Sequence, residues 1–129
     1  MDIATFGTWR ILVVDDELDT CELLSLVLSP TGAQVDLADN GSIAWELYQQ
    51  ESPNLVLTDI SMPEMDGFEL LNKIREQGHQ IPVIALTAHA MSGDKARVMA
   101  AGFSAYMAKP LRLMTLLDDL LAILTRLEG

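Results

Sequence analysis

The sequence has little cysteine, few aromatic side chains and few basic residues. Its single cysteine, Cys21, cannot form a disulfide within the chain, which favours a reducing compartment such as the cytoplasm. Only 5% of the residues are Phe, Trp or Tyr, so aliphatic side chains must supply most of the core. Half of the 129 residues are hydrophobic, which is enough for one domain with a buried interior.

Basic residues are scarce relative to acidic ones. The chain carries 8 Lys and Arg against 19 Asp and Glu, which gives a formal net charge of −11. Nucleic acids and anionic membranes are bound through clustered Lys and Arg side chains. The charge balance therefore argues against both as direct partners, and most of the acidic side chains are expected to serve solubility.

Long apolar segments are also missing. A helix that crosses a membrane requires ~20 mostly apolar residues. The leucine-rich runs are shorter than this, and the one near the C-terminus is interrupted by Asp118 and Asp119. The first residues lack the basic and then apolar order of a signal peptide. The sequence thus predicts a cytoplasmic protein.

Short apolar runs alternate with segments of helical periodicity. Continuous apolar runs indicate strands that are buried on both faces, as in a parallel sheet. A strand followed by a helix, five times over, predicts a doubly wound α/β fold. The predicted strands are residues 11–14, 33–37, 55–57, 83–86 and 105–108, and the predicted helices are residues 18–28, 42–50, 68–76, 93–101 and 113–127.

The handedness of such connections predicts the order of the strands. In a right-handed doubly wound sheet, the second strand lies on one side of the first and the third lies on the other. We therefore predict a five-stranded parallel sheet of order 2-1-3-4-5 flanked by five helices, a flavodoxin-like fold. Residues 1–8 precede the first strand and are expected to form a flexible N-terminal extension, with residues 9–129 forming the domain.

Carboxylates follow two strands that this order makes neighbours. Asp15-Asp16-Glu17 comes directly after the first strand, and Asp59 follows the third. Two like charges ~4 Å apart repel by about 1 kcal/mol in water and about 4 kcal/mol at an effective dielectric constant of 20. Converging carboxylates therefore require a proton or a cation, and hard oxygen ligands with open positions suit Mg²⁺. A metal ion there would allow a carboxylate to accept a phosphoryl group.

The acidic triplet also has a simpler interpretation. Acidic residues at the start of a helix can cap it and interact favourably with its dipole. For Glu17 alone we favour this capping role. For Asp15 and Asp16, the convergence with Asp59 favours the metal site.

Two further strand ends supply groups suited to phosphoryl chemistry. The fourth strand is followed by Thr87, which offers a hydroxyl, and the fifth by Lys109, whose ammonium can pair with a phosphate or a carboxylate. Each residue alone is a weak signal, because threonine often caps and lysine is usually solvated. With the carboxylates, they place a residue suited to phosphoryl chemistry at the end of every strand except the second, which is an edge strand. The Lys109–Pro110 bond can be cis or trans.

With these motifs in order, the chain resembles the receiver domains of two-component response regulators. The resemblance covers about residues 10–127. It is carried by Val13-Val14-Asp15-Asp16-Glu17, by Asp59 with Met62-Pro63 and Asp66-Gly67, by Ala85-Leu86-Thr87-Ala88, and by Tyr106-Met107-Ala108-Lys109-Pro110.

The resemblance implies a phosphorylation site. Asp59 would accept a phosphoryl group from a sensor histidine kinase or a histidine phosphotransfer protein. The protein would catalyse only its own phosphorylation and dephosphorylation. Asp16, Asp59 and the backbone carbonyl of Ser61 would bind Mg²⁺ directly, and Asp15 would bind it directly or through water.

The resemblance also implies a switch. Lys109 would hold the phosphoryl oxygen, Thr87 would move its hydroxyl onto the phosphoryl group, and Tyr106 would follow it inward. The face formed by the fourth helix, fifth strand and fifth helix would then change for a downstream protein target, and a homodimer could form on phosphorylation. By position, we expect His89 to alter the phosphoryl lifetime.

Other interpretations share the fold or part of the chemistry. A flavodoxin-like redox protein would need a loop that cradles a flavin phosphate, and Asp15-Asp16-Glu17 would repel it. A haloacid dehalogenase-type phosphatase needs a second Asp where Ser61 stands. A receiver-fold binding module that phosphorylation does not regulate, and the receiver piece of a hybrid kinase, both stay open. So does the helix that carries Trp45, as either a docking surface or an overfilled core.

Overall fold

The computed structural model describes residues 1–88 and 93–128. In these ranges, helices pack on both faces of a five-stranded parallel sheet of order 2-1-3-4-5, as the sequence predicts. The strands are β1 (Arg10–Val14), β2 (Gln34–Ala38), β3 (Leu55–Asp59), β4 (Val83–Thr87) and β5 (Ala105–Ala108), and the helices are α1 (Leu18–Leu28), α2 (Gly41–Gln50), α3 (Gly67–Glu76), α4 (Lys95–Ala101) and α5 (Leu116–Glu128).

The central strands are buried on both faces, which explains their continuous apolar sequences. Every residue of β3 and β4 is buried. Successive side chains of β1 alternate between two cores. Ile11 and Val13 pack with α1 and α5 residues such as Leu24 and Leu120. Leu12 and Val14 belong to the other core, which α2, α3 and α4 cover.

The helix boundaries follow local capping signals. Asn40 accepts a hydrogen bond from the Ile43 N–H and starts α2 one residue before the predicted position. Asp66 and Glu69 form a capping box at the start of α3. Gly102 ends α4 with a φ of 105°, a left-handed conformation that glycine adopts without steric cost. Within the described residues, no helix has both the length and the apolar character needed to cross a membrane.

The predicted start of the last helix is wrong. The last helix begins at Leu116 rather than at Leu113, because residues 113–115 form a turn in which Leu113 and Met114 point into solvent. The leucine pattern of α5 continues back to Leu113, but this side chain is not buried. The regular part of the fourth helix begins at Lys95, and Gly93 and Asp94 precede it in a π-helical turn, which agrees with the predicted start near Gly93.

The expectation that residues 1–8 are a flexible lead-in is also wrong. Ile3–Thr8 forms a 3₁₀-helix whose N-cap, Asp2, accepts a hydrogen bond from the Ala4 N–H. The side chain of Phe6 is fully buried in the core between β1, α1 and α5, and its ring contacts that of Trp9. Burying a large aromatic ring stabilises this segment against the domain.

The helix that carries Trp45 turns one face towards the core. Ala44 and Tyr48 are buried, Trp45 is half-buried, and Ile43 is exposed. The Trp45 ring stacks on Tyr48 and lies under the ammonium of Lys73. Trp45 is therefore a packing residue at the contact between α2 and α3, with one side open to solvent.

Candidate functional site

The sheet register brings the predicted site residues to one edge. Val14 pairs with Thr58 and Asp59 pairs with Leu86, so β1, β3 and β4 end nearly level. Thr87 pairs with Ala108 in the same way. Residues that directly follow these strands, or end them, therefore meet at the carboxyl edge of the sheet, where doubly wound folds bind ligands.

Lys109 lies at the centre of this edge. Its Nζ is 2.8 Å from Asp15 Oδ2, 3.1 Å from Asp59 Oδ2 and 2.6 Å from Glu17 Oε1. The Lys109 side chain is only 10% exposed, and the peptide bond between Lys109 and Pro110 is cis. One positive charge thus faces three negative charges, which leaves the cluster with an excess of negative charge.

Asp15 is the most buried acid of the cluster, with 1% of its surface exposed. Its Oδ1 accepts a hydrogen bond from the Glu17 N–H at 2.8 Å. Its Oδ2 is close to Lys109 Nζ but lies outside hydrogen-bonding geometry, so among the described residues this buried oxygen has no hydrogen-bond donor. Burial raises the pKa of Asp15, and the charge of Asp59 adds to this, although Lys109 and the Glu17 N–H oppose it.

The pKa of Lys109 is also raised. Burial alone would lower it, but the close contacts of the ammonium with the carboxylates of Asp15, Glu17 and Asp59 outweigh the loss of hydration. The two directions are consistent, because Lys109 is surrounded by three anions whereas Asp15 shares its one cation with two other acids. Lys109 therefore stays charged at neutral pH.

The acidic residues fit a divalent cation. One carboxylate oxygen from each of Asp15, Glu17 and Asp59 lies within 4.8 Å of the other two. The Asp15 oxygen that lacks a hydrogen-bond donor supplies a ligand atom, and an all-oxygen donor set of this kind is what Mg²⁺ prefers. Asp16 is exposed and does not belong to this group. The structure thus brings Asp15 and Asp59 together as the topology predicts, without Asp16.

Glu17 is a residue that sequence reasoning misjudged. It occupies the N-cap position of α1, but its side chain makes no capping hydrogen bond. The carboxylate is drawn instead to the ammonium of Lys109, since a full charge attracts it more strongly than a backbone dipole. The lysine at the end of the fifth strand was the signal that could have identified this contact.

The loop after β3 is held close to Asp59. The Ser61 N–H donates to Asp59 Oδ1 at 3.1 Å, which fixes the carboxylate from the side opposite to Lys109. The Gly67 N–H donates to the Ile60 carbonyl at 3.3 Å and brings the start of α3 against this turn. The Ser61 carbonyl, predicted as a metal ligand, belongs to the same short loop.

Substituting Gly67 is expected to disturb this loop. A Cβ atom at Gly67 would lie 2.3 Å from the Asp59 carbonyl oxygen and 2.9 Å from Ile60 Cα, and backbone atoms cannot move aside as a flexible side chain can. We expect Gly67→Ala to lower the free energy of unfolding by about 1–3 kcal/mol in urea titrations. The control is Gly7→Ala, whose added Cβ meets nothing closer than 3.7 Å. Equal unfolding midpoints for the two variants would contradict the expectation.

The two predicted switch residues contact the beginning of α4. Thr87 is fully buried, and its hydroxyl donates to Asp94 Oδ2 at 3.2 Å. Tyr106 is half-buried, with the Lys95 ammonium 5.7 Å from the centre of its ring. Sequence reasoning missed both contacts. His89 lies outside the described residues.

Comparisons with known proteins agree with this geometry. Residues 11–121 match the sequence profile of the response regulator receiver domain. A 14.6 kDa uncharacterized protein in the sodA1 3′ region of Leptolyngbya boryana is 44% identical over 108 residues, which are 82% of this chain and 82% of that protein. The structure of the chemotaxis response regulator CheY4 of Vibrio cholerae matches with a TM-score of 0.80 at 28% identity and covers 88% of this chain and 97% of CheY4.

A larger protein contains a similar segment. The signal transduction histidine-protein kinase BarA of Escherichia coli (strain K12) is 41% identical over 103 residues, and the match covers 78% of this chain but only 11% of BarA. The same kind of domain thus occurs within a histidine kinase many times its length. Because the receiver profile matches most of its length, this chain belongs to the response regulator receiver domain family.

Proposed function

We propose that Asp59 accepts a phosphoryl group from a phosphohistidine donor in a two-component or phosphorelay pathway. The observation that carries the proposal is the position of Lys109, whose ammonium contacts the carboxylates of both Asp15 and Asp59. Asp59 is largely buried, with 8% of its surface exposed, and its carboxylate is held between a cation and the Ser61 N–H.

The transfer step is a displacement at phosphorus. A carboxylate oxygen of Asp59 forms a bond to the phosphorus atom, the bond between phosphorus and the donor's imidazole nitrogen breaks, and its electron pair returns to that nitrogen. Lys109 remains charged throughout and stabilises negative charge on the phosphoryl oxygens. Phosphoryl transfer depends mainly on such positioning and electrostatic stabilisation.

Asp15 and Asp59 would hold Mg²⁺ at this site, with Asp16 and the Ser61 carbonyl as the further ligands that the family resemblance implies. When bound, the ion neutralises the charge of the carboxylates and of the incoming phosphoryl oxygens. The proposal is supported by the excess negative charge around Lys109 and by the Asp15 oxygen that has no hydrogen-bond donor.

Phosphorylation is proposed to switch a surface. The new group adds a charge of about −1.5 to −2 and three acceptor oxygens, which attract the Lys109 ammonium and the Thr87 hydroxyl. Movement of Thr87, followed by Tyr106, changes the populations of the face formed by α4, β5 and α5. A downstream protein would bind this face, or a second copy of the chain would do so on phosphorylation.

A cytoplasmic sensor histidine kinase or histidine phosphotransfer protein is the proposed donor. The similarity to a segment of BarA specifically supports one alternative, in which the domain acts as the receiver piece of a hybrid kinase. The phosphoryl chemistry at Asp59 is the same in both cases. They differ in whether the phosphoryl group comes from the same polypeptide.

The test is incubation of the purified protein with Mg²⁺ and acetyl phosphate, followed by electrophoresis on a phosphate-affinity gel. We expect a retarded band that forms within minutes and that EDTA prevents, because the donor's phosphorus is attacked only when the negative charges of the site are neutralised. An unretarded band at saturating donor would contradict the proposal and would favour a binding module that phosphorylation does not regulate.

A further inference from the structure

The N-cap residue of α4 does not cap its helix. Asp94 precedes α4 with helical backbone angles (φ −61°, ψ −34°), in a π-helical turn with Gly93, and not in the extended conformation from which an N-cap aspartate accepts a hydrogen bond from a backbone N–H. Its side chain makes no such bond. Asp94 Oδ2 accepts the hydroxyl hydrogen of Thr87 at 3.2 Å instead. The Asp94 carboxylate therefore binds the last residue of β4 rather than the backbone of α4.

Neighbouring residues hold the Asp94 carboxylate in place. Its other oxygen, Oδ1, lies 3.7 Å from Arg97 Nη1, one turn further along α4. The Arg97 guanidinium in turn lies 4.4 Å from the centre of the Phe68 ring on α3, and Phe68 packs edge-on against Phe103. A chain of contacts thus connects the Thr87 hydroxyl to the packing of α3 and α4.

The next residue of α4 contacts the other predicted switch residue. The Lys95 ammonium lies 5.7 Å from the centre of the Tyr106 ring, within the range of a cation–π interaction. Tyr106 is half-buried in β5, so its ring stays partly on the surface in this arrangement. Two consecutive residues at the start of α4 therefore contact Thr87 and Tyr106.

The helix that supplies these contacts is weakly anchored. It has seven residues, only Val98 among them is buried, and no side-chain hydrogen bond caps its N-terminus. Short helices with few buried residues open or shift at low free-energy cost. The contacts of Asp94 and Lys95 therefore contribute to its position, together with the Arg97–Phe68 contact and the burial of Val98.

We propose that Asp94 and Lys95 are positioning residues that hold Thr87 and Tyr106 in the arrangement of the unphosphorylated protein. A threonine hydroxyl has one hydrogen to donate. Thr87 must therefore break its bond to Asp94 before it donates to a phosphoryl oxygen. This inference rests on the proposed role of Asp59 as the phosphoryl acceptor, and it makes α4 a latch that phosphorylation opens.

The latch predicts that removing the acceptor at position 94 speeds phosphorylation. If the reactive arrangement needs a released Thr87, the rate scales with the fraction of molecules in which it is released. A hydrogen bond to a partly buried carboxylate such as that of Asp94 changes that fraction on the order of tenfold. We expect Asp94→Ala to be phosphorylated by acetyl phosphate and Mg²⁺ about tenfold faster than the wild type, in time courses on phosphate-affinity gels.

Matched variants separate the hydrogen bond from the charge. Asp94→Asn keeps an oxygen that accepts the Thr87 hydroxyl and removes the charge, so its rate should stay within about twofold of the wild type. Asp118→Ala removes an exposed carboxylate from α5 and should also leave the rate unchanged. A wild-type rate for Asp94→Ala, or equal acceleration of Asp94→Ala and Asp94→Asn, would overturn the latch.

A second measurement follows Tyr106 directly. The chain has two tyrosines, Tyr48 and Tyr106, so protein containing 3-fluorotyrosine gives two fluorine NMR signals that Tyr106→Phe assigns. We expect Lys95→Ala to move the Tyr106 signal of the unphosphorylated protein toward its position in the phosphorylated wild type. Lys95→Arg keeps the cation and should leave the signal in place, with Tyr48 as the internal reference.

Each outcome bears on a specific claim. An unmoved Tyr106 signal in Lys95→Ala overturns the role of Lys95, whatever the phosphorylation rates of the Asp94 variants. A wild-type protein that accepts the phosphoryl group while Asp94→Ala shows no acceleration refutes only the latch. A wild-type protein that is not phosphorylated refutes the proposed function and the latch together.

Discussion

Asparagine at position 59 is expected to abolish phosphorylation, with at least about a 100-fold lower rate than the wild type. The amide is neither charged nor nucleophilic, so it cannot form the bond to phosphorus. The substitution is nearly isosteric, and its oxygen can still accept the Ser61 N–H that Asp59 Oδ1 accepts. The loss would therefore reflect chemistry rather than unfolding. The measurement is the retarded fraction on a phosphate-affinity gel after incubation with Mg²⁺ and acetyl phosphate.

An exposed carboxylate serves as the control for this substitution. Asp118→Asn removes the same charge from the exposed surface of α5 and should be phosphorylated at the wild-type rate. Unfolding curves of both variants should show that they are folded under the assay conditions. If Asp59→Asn were retarded as rapidly as the wild type, another residue would be the acceptor.

Asparagine at position 15 is expected to make the protein more stable in the absence of Mg²⁺. Burial disfavours the charged form of Asp15, and the charge of Asp59 adds to the cost. Asp15→Asn removes this cost and keeps the Oδ1 atom that accepts the Glu17 N–H. We expect its free energy of unfolding at pH 7 to be higher than that of the wild type, because the buried charge is no longer present.

The stability difference between Asp15→Asn and the wild type should depend on pH. The pKa of Asp15 is raised in the folded protein above its ordinary value of 3.8. The stability that Asp15 contributes is therefore fully present below pH 3.8 and is lost as the pH rises through the raised pKa. The difference between Asp15→Asn and the wild type should grow over this window, and urea titrations at several pH values measure it.

Saturating Mg²⁺ should reverse the order of stability. A ligand at 100 times its dissociation constant adds about 2.7 kcal/mol to the folded state. The wild type should gain this stabilisation, whereas Asp15→Asn loses a ligand and should gain much less. An Asp15→Asn variant that is less stable than the wild type without Mg²⁺ would contradict the cost of burying the Asp15 charge. Equal stabilisation of the two proteins by Mg²⁺ would contradict a metal site at Asp15.

The sequence predicts most of the fold because local and global signals agree. The apolar runs of β3 and β4 are continuous because both faces of these strands are buried. Asn40 and Asp66 cap helices through contacts within three residues, which can be inferred from short spacings. The handedness of the connections then places β1 next to β3.

Long-range side-chain contacts could not be predicted in the same way. Glu17 and Lys109 are 92 residues apart, and their ion pair depends on the direction of two loops. The hydrogen bond from the Thr87 hydroxyl to the Asp94 carboxylate is likewise visible only in the structure. Phe6 lies in a short segment without periodicity, so nothing in its neighbours indicates that it is buried.

The central claim is that a phosphoryl group forms an acyl phosphate on Asp59, and chemical trapping tests it most directly. Borohydride reduces the acyl carbon of an aspartyl phosphate to an alcohol and releases phosphate, which leaves homoserine at the modified position. After incubation with Mg²⁺ and acetyl phosphate, peptide mass spectrometry should find homoserine at position 59, and omission of the donor should leave aspartate there. Homoserine at another position with unmodified Asp59 would contradict the claim.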